Sequence, residues 1–158
     1  MLEHGVVAPD FELPDQQGEP VALSNFRGQW VVLYFYPRAD TPGCTTQACE
    51  FRDDWSAFQS HDIPVFGISD DPVDDLDAFA EKYDLPFRLL SDESGDVADE
   101  YDSYGEKTVF GNRVMGVFRN TYVIDPDGTI AAVFEVVSPE GHAAEVLDSI
   151  PITDEPAQ

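Results

Sequence analysis

One apolar run constrains the fold of this chain more than any other feature. The seven residues Trp30–Tyr36 are all hydrophobic, and Pro37 ends the run. The run is short, and it is rich in β-branched and aromatic residues. These properties favour a strand that is buried on both of its faces. The sequence therefore predicts a sheet with this strand inside it.

Strand-like and helix-like segments alternate along the rest of the chain. Further short apolar runs predict strands at 21–23, 63–68, 87–90, 120–124 and 129–137. A turn is expected at 24–28, and Asp125–Gly128 is a strong turn signal between the last two strands. With no repeat and no linker, residues 1–150 are predicted to form a single α/β domain, followed by a polar, frayed tail at 151–158.

Helical spacing of apolar residues predicts four helices between these strands. The first opens at Pro42–Gly43 and has an apolar stripe of Ala48, Phe51, Trp55 and Phe58. The second has Asp71 as its N-cap and Pro72 as its first residue, with a stripe of Val73, Leu76, Phe79 and Tyr83. A short helix is expected at 97–101. The last helix starts at 138–140 and buries Ala143, Val146, Leu147 and Ile150.

Charge excludes several classes of partner. The chain has 32 acidic against 8 basic residues and a formal net charge of -24, so nucleic acid and anionic membrane surfaces are not expected to bind it. No apolar stretch reaches the roughly 18 residues that a membrane span needs. The first residues lack a basic and an apolar signal region, which predicts a cytoplasmic protein. We interpret the acidic excess as a solvated surface suited to a salty cytoplasm.

The two cysteines, Cys44 and Cys49, do not form a standard metal or redox motif. A zinc site needs about four ligands, whereas the three histidines are scattered along the chain at His4, His61 and His142. Four residues separate the cysteines, which excludes a Cys-x-x-Cys motif. A structural disulfide is disfavoured in a cytoplasmic protein. The sequence therefore predicts no metal site.

The position of Cys44 indicates reactivity. Cys44 lies in the first turn of the predicted helix, where free N–H groups and the helix dipole favour a thiolate. The negative charge of the chain opposes this, so a local cation is required. We favour Arg119, before the strand at 120–124, over Arg38 and Arg52, which could simply be solvated. Cys44 as a small buried hydrophobic residue and Arg119 as an ordinary strand-end arginine remain the alternatives.

The spacing of the cysteines has two interpretations. Five residues along a helix place two Cα atoms about 8–9 Å apart, whereas a disulfide needs less than ~7 Å. If Cys44 and Cys49 form a disulfide, the helix between them must unwind, and the pair then acts as a redox switch. Cys49 can equally be an inert thiol on the flank of the helix. Thr41 likewise has a plain interpretation as a helix-capping hydroxyl.

The segment at 36–45 resembles the active-site pattern of peroxiredoxins, Pro-x-x-x-Thr-x-x-Cys. Thr-Pro-Gly-Cys-Thr at 41–45 and Cys-Glu-Phe-Arg-Asp at 49–53 are more similar to the bacterioferritin comigratory protein (peroxiredoxin Q) branch. Ala-Pro-Asp-Phe at 8–11 resembles the start of that family, and 118–125 resembles its arginine-bearing strand. The resemblance covers nearly the whole chain.

The resemblance implies a thioredoxin-like fold, with a central mixed sheet flanked by helices and an N-terminal β extension. It implies a thiol peroxidase without metal or organic cofactor. Cys44 is then the peroxidatic cysteine and Thr41 the hydroxyl that hydrogen-bonds the peroxide. Pro37 shields the thiolate from water, and Arg119 stabilises it. Cys49 matches the resolving cysteine of one subgroup.

The implied cycle forms a sulfenic acid on Cys44 and then an intramolecular disulfide with Cys49. Thr41, Arg119 and the N–H groups at the helix start are expected to donate hydrogen bonds to the reacting oxygens. The expected partners are hydrogen peroxide or an organic hydroperoxide and a thioredoxin-like reductant, with the chain a monomer or weak homodimer. The alternatives are a thiol–disulfide oxidoreductase acting on protein disulfides and a binding module in which the cysteines are incidental.

Overall fold

The structure is a computed structural model that describes residues 2–39, 41–109, 111–135 and 142–150. The strands are β1 (Glu12–Pro14), β2 (Pro20–Ala22), β3 (Val31–Phe35), β4 (Val65–Ser69), β5 (Arg88–Ser91), β6 (Tyr104–Val109), β7 (Asn112–Val117), β8 (Asn120–Ile124) and β9 (Ile130–Glu135). The helices are α1 (Pro42–Asp53), α2 (Trp55–Ser60), α3 (Val73–Tyr83), α4 (Asp96–Glu100) and α5 (His142–Ser149). Among these helices, none combines the length and apolar character that a bilayer crossing requires.

Five strands form one mixed sheet in the order β5-β4-β3-β8-β9. Strand β3 pairs in parallel with β4, and β4 pairs in parallel with β5. On the other side, β3 pairs antiparallel with β8, which pairs antiparallel with β9. The apolar run therefore lies at the centre of the sheet, as its composition predicts. The prediction of a central mixed sheet flanked by helices is confirmed.

The side chains of β3 alternate between two cores. Val32 and Tyr34 point to a core that also contains residues of α1, α2, α3 and α5. Val31, Leu33 and Phe35 point to a second core, which contains residues of β1, β2 and α4. Each of these five side chains is at most 1% exposed. Burial on both faces follows from the alternation of side chains along a strand.

Two hairpins lie outside the central sheet. Strands β1 and β2 pair antiparallel and form the expected N-terminal β extension, although the sequence predicts only its second strand. Strands β6 and β7 pair only with each other among the described strands, and the sequence does not predict them. On this hairpin the apolar side chain of Met115 is 60% exposed. A hairpin held by its own backbone hydrogen bonds does not need the apolar pattern that identifies a buried strand.

Two helix boundaries differ from the prediction. The predicted stripe from Ala48 to Phe58 is divided between α1 and α2 at Asp54. Ala57 N–H donates to Asp54 O at 3.0 Å, and a hydrogen bond between residues three apart is typical of a tightened turn. Helix α3 has Pro72 as its N-cap, so the assignment of Asp71 as N-cap is wrong. The carboxylate of Asp71 binds the loop before α1 instead. The predicted strand end at 136–137, the predicted helix start at 138–140 and the tail at 151–158 lie outside the described residues.

Candidate active site

Cys44 is the third residue of α1, the first-turn position that the sequence predicts. Thr41 is the N-cap and has extended backbone angles, with φ -95° and ψ 158°. Cys44 is 1% exposed, so its sulfur lies in a largely water-free environment. An N-terminal helix turn presents unpaired N–H groups, and these favour a negative charge there.

Arg119 lies directly before β8 and reaches this thiol. Its Nη2 donates to Cys44 Sγ at 3.3 Å, and its Nη1 donates to Gln47 Oε1 at 2.8 Å. Arg38 pairs instead with Asp71, at 3.2 Å. Arg52 donates to Tyr83 O at 2.9 Å. Of the three arginines that the sequence analysis weighs, Arg119 is therefore the one that the structure brings to Cys44.

Two further residues of α1 accommodate this guanidinium. A Cβ atom on Gly43 would lie 3.0 Å from Arg119 Nη2, so the glycine leaves room for the close approach. Gln47 is fully buried and fixes the other Arg119 nitrogen. Gln47 is not among the site residues predicted from the sequence. Its signal is its position three residues after Cys44, which places both side chains on the same helix face.

Thr41 does not have a hydrogen free to donate. Its Oγ1 lies 2.8 Å from the carbonyl oxygen of Arg38. A carbonyl only accepts, so the Thr41 hydroxyl must be the donor in this contact. The two lone pairs of Oγ1 remain, and they can accept a hydrogen bond. In this arrangement Thr41 is an acceptor towards a ligand, not the donor that the sequence analysis expects.

Pro37 and Cys49 occupy different parts of this region. Pro37 is partly exposed and lies in the loop between β3 and α1, two residues after β3 ends. Cys49 is half-buried on α1, and both cysteines are free thiols. Because α1 is continuous from Cys44 to Cys49, the two sulfurs are carried on one intact helix.

The loop before α1 is bound to the end of β4 by Asp71. One carboxylate oxygen, Oδ2, accepts from Ala39 N–H at 2.7 Å and from Ser69 Oγ at 2.8 Å. The other, Oδ1, accepts from Arg38 Nη1 at 3.2 Å. Asp71 is 1% exposed, although the chain is strongly acidic and most of its carboxylates face solvent.

Tyr34 lies beneath α1. Its ring stacks on Phe51 with centroids 4.8 Å apart, and its hydroxyl has no hydrogen-bond partner among the described residues. Burial raises the pKa of Tyr34 well above its usual value, and the nearby Cys44 and Cys49 add to this effect. Gly67 is its partner in the β3–β4 register, and a Cβ there would lie 2.7 Å from Tyr34 Cζ. The glycine therefore provides the space for this ring.

His142 on α5 packs against α1. Its ring meets Phe51 edge-on, with centroids 5.9 Å apart. Its Nε2 lies 2.8 Å from Thr121 Oγ1 and its Nδ1 lies 3.2 Å from Glu145 Oε1. Burial lowers the pKa of His142, and the carboxylate of Glu145 opposes this only in part. The lowered pKa favours the neutral imidazole in this packed helix interface.

Comparison with known proteins identifies the family. The sequence model of the AhpC/TSA family matches residues 4–133. The chain belongs to this family. Within it, the chain is 45% identical over 147 residues to peroxiredoxin Bcp of Escherichia coli strain K12, covering 93% of this chain and 94% of that protein. It is also 45% identical over 146 residues to a putative peroxiredoxin bcp of Coxiella burnetii, covering 92% and 97%.

Solved structures place this peroxiredoxin in the same branch. The bacterioferritin comigratory protein of Xanthomonas campestris, described for its alkyl peroxide reduction activity, superposes with a TM-score of 0.86 at 30% identity and covers 93% of this chain and 96% of that one. Peroxidoxin BcpB of Mycobacterium tuberculosis superposes with a TM-score of 0.84 at 40% identity and covers 94% and 96%. The resemblance to the peroxiredoxin Q branch and the thioredoxin-like fold are confirmed.

Proposed function

We propose that this peroxiredoxin is a thiol peroxidase that reduces hydrogen peroxide and organic hydroperoxides at Cys44. The observation that carries the proposal is the 3.3 Å contact from Arg119 Nη2 to Cys44 Sγ at the start of α1. A cation and a helix N-terminus acting on one buried sulfur favour the thiolate, which is the nucleophilic form of cysteine. The names of the relatives support the same activity.

In the first step, the Cys44 thiolate attacks one peroxide oxygen. An S–O bond forms while the O–O bond breaks, which leaves a sulfenic acid on Cys44 and a hydroxide or alkoxide that takes up a proton. Arg119 and the N–H groups of the first helix turn stabilise the negative charge that develops on the oxygens. Thr41 Oγ1 accepts the hydrogen bond of the peroxide O–H group, because its own hydrogen is donated to Arg38 O. Pro37 shields the thiolate from water.

In the second step, the Cys49 thiol attacks the sulfenic sulfur. An S–S bond forms, the S–O bond breaks, and water leaves. A helical separation of about 8–9 Å between the Cα atoms exceeds the reach of a disulfide, so α1 unwinds between Cys44 and Cys49. A thioredoxin-like dithiol protein then reduces the disulfide by exchange, and the helix re-forms. The chemistry resides in the two sulfurs and calls for no metal or organic cofactor.

Stopped-flow peroxide consumption by three proteins tests this proposal. We expect the wild type to turn over with a thioredoxin-like reductant, and Cys44→Ser to consume no peroxide. Cys49→Ser should consume one equivalent and retain the sulfenic acid. Mass spectrometry of the oxidised wild type should find a monomer that has lost two hydrogens and contains the Cys44–Cys49 disulfide.

Four results would contradict it. Peroxide consumption that persists in Cys44→Ser would remove the peroxidatic role. Intermolecular disulfides alone, or a stable sulfenic acid in the wild type, would remove the resolving role of Cys49. Insulin reduction faster than peroxide turnover would favour a thiol–disulfide oxidoreductase.

The acidic surface supports a further part of the proposal, a cytoplasmic protein that works at high salt as a monomer or weak homodimer. With a net charge of -24, self-repulsion destabilises the fold and opposes association at low ionic strength. Thermal melts in KCl from about 0.1 to 3 M should show a rising midpoint, because the Debye length falls from ~10 Å to below ~3 Å. A midpoint that does not depend on salt would contradict this adaptation.

A further inference from the structure

Asp71 occupies an unusual place for an acidic residue of this chain. It is 1% exposed, two residues beyond the end of β4, and each of its oxygens accepts a hydrogen bond. Besides the bonds of its carboxylate to Ala39, Ser69 and Arg38, its backbone oxygen accepts from Ser91 Oγ at 2.7 Å. Burying a carboxylate is costly unless such partners compensate for the lost water. The charge is therefore held in one position.

The bonds of Asp71 fix one peptide group. Ala39 N–H and Arg38 C=O belong to the same peptide, and in a trans peptide these groups point in opposite directions. The N–H end is held by Asp71 Oδ2, and the C=O end accepts the hydroxyl of Thr41. The ion pair between Arg38 and Asp71 adds a second connection on the same side of the loop. The orientation of this peptide thus connects Asp71 with Thr41.

We propose that Asp71 is a positioning residue for the peroxide and acts through the 38–39 peptide on Thr41. With the peptide fixed, the Thr41 hydroxyl donates to Arg38 O and turns its lone pairs outward to receive the peroxide O–H group. Without Asp71, the peptide can rotate, and Thr41 loses its partner. The inference rests on the proposed peroxidase function. None of the described hydrogen bonds of Asp71 reaches Cys44 or Arg119, so the nucleophile itself should be unaffected.

Two reactions of Cys44 separate positioning from general loss of structure. Iodoacetamide alkylates a thiolate and has no O–H group that could donate a hydrogen bond to Thr41. The peroxide reaction depends on that hydrogen bond. For Asp71→Ala we expect the second-order rate with peroxide to fall about tenfold, the equivalent of one hydrogen bond. The alkylation rate should stay within about twofold of the wild type. Asp74→Ala, an exposed acidic residue of α3, removes the same charge and should change neither rate.

A double variant tests the route through Thr41. If Asp71 acts only through Thr41, the combination of Asp71→Ala with Thr41→Val should react with peroxide no more slowly than Thr41→Val alone. Asp71→Asn serves if the alanine variant does not fold. It keeps the side-chain shape and one oxygen for Ala39 N–H but loses the charge that pairs with Arg38, so it should slow the peroxide reaction about two- to tenfold relative to the wild type and leave alkylation unchanged.

Several outcomes would overturn the inference. Equal slowing of peroxide and iodoacetamide, in either Asp71 variant, would show a purely structural role. Multiplied losses in the double variant would show that Asp71 does not act through Thr41. Both results leave a functioning wild-type peroxidase, whereas failure of the proposed function appears as peroxide consumption by Cys44→Ser. The two failures are therefore distinguishable.

Discussion

Replacing Arg119 by methionine is the sharpest test of how this site activates its sulfur. Methionine is similar in length but removes both the charge and the donors that bind Cys44 Sγ and Gln47 Oε1. A hydrogen bond to a charged partner contributes roughly 1.5–3 kcal/mol, which corresponds to about 10- to 150-fold in rate. Loss of a donor to a developing oxyanion typically costs about 10²–10³. We therefore expect the peroxide rate of Arg119→Met to fall about 100-fold or more.

The assay is single-turnover peroxide oxidation of the reduced protein, followed in a stopped-flow instrument. Arg113→Met is the matched control. The Arg113 side chain is 78% exposed, and its Nη1 lies 3.9 Å from the carboxylate of Glu106. Arg113→Met loses the same unit of charge as Arg119→Met. Its peroxide rate should stay within about twofold of the wild type because exposed ion pairs contribute little. Since Cys44 is buried, the effect of Arg119→Met should persist in high salt.

Three results would contradict this role of Arg119. A loss below about fivefold in Arg119→Met would mean that the guanidinium contributes less than a single neutral hydrogen bond. An equal loss in Arg113→Met would mean that the overall charge of the chain, and not the contact, controls the rate. If the rates of Arg119→Met and the wild type became equal in high salt, the interaction between Arg119 and Cys44 would be exposed to solvent.

Four further variants test other contacts of the fold. Gly43→Ala should lower the peroxide rate, because the new methyl group lies 3.0 Å from Arg119 Nη2 and displaces the guanidinium; an unchanged rate would contradict this contact. Tyr34→Phe should raise the free energy of unfolding in urea by about 1 kcal/mol, since it removes a buried hydroxyl with no described partner. Tyr122→Phe removes a hydroxyl that is hydrogen-bonded to Tyr101 O, so it should lower the free energy of unfolding. A change of the same sign in both tyrosine variants would contradict the difference between the two hydroxyls. Burial lowers the pKa of His142, so below about pH 6.5 the unfolded chain binds a proton that the folded protein does not, and stability falls. In urea melts, His142→Gln should lose less free energy of unfolding than the wild type between about pH 7.5 and pH 5.5. An equal loss in the two proteins would contradict this role of His142.

Elements with strong periodicity could be predicted from the sequence. The central strand, the helix that starts at Pro42 and the position of Cys44 in its first turn all follow from local patterns of apolar residues, Pro and Gly. A thiolate in a very acidic chain needs a cation, which predicts an arginine near Cys44, and Arg119 is the arginine that we favour for this place on the sequence alone. These features depend on short segments or on a single dominant charge effect.

Features that depend on distant groups could not be predicted. Asp-Pro is a good local signal for a helix N-cap, but Asp71 binds Ala39 and Arg38 because the fold brings that loop to the end of β4. The direction of the Thr41 hydrogen bond depends in the same way on where the carbonyl of Arg38 points. The β6–β7 hairpin could not be predicted because its pairing relies on backbone groups that every sequence has.

The pairing of Tyr34 with Gly67 has a consequence for protein engineering. A designer who copies the ten-residue segment around Cys44 into another sheet would transfer the nucleophile and its helix start, but not the ring that lies under them. That ring fits only because the neighbouring strand has no methyl group opposite it. A successful transplant must therefore include both strands, and an alanine at position 67 should disable the graft although it is remote in sequence from the sulfur.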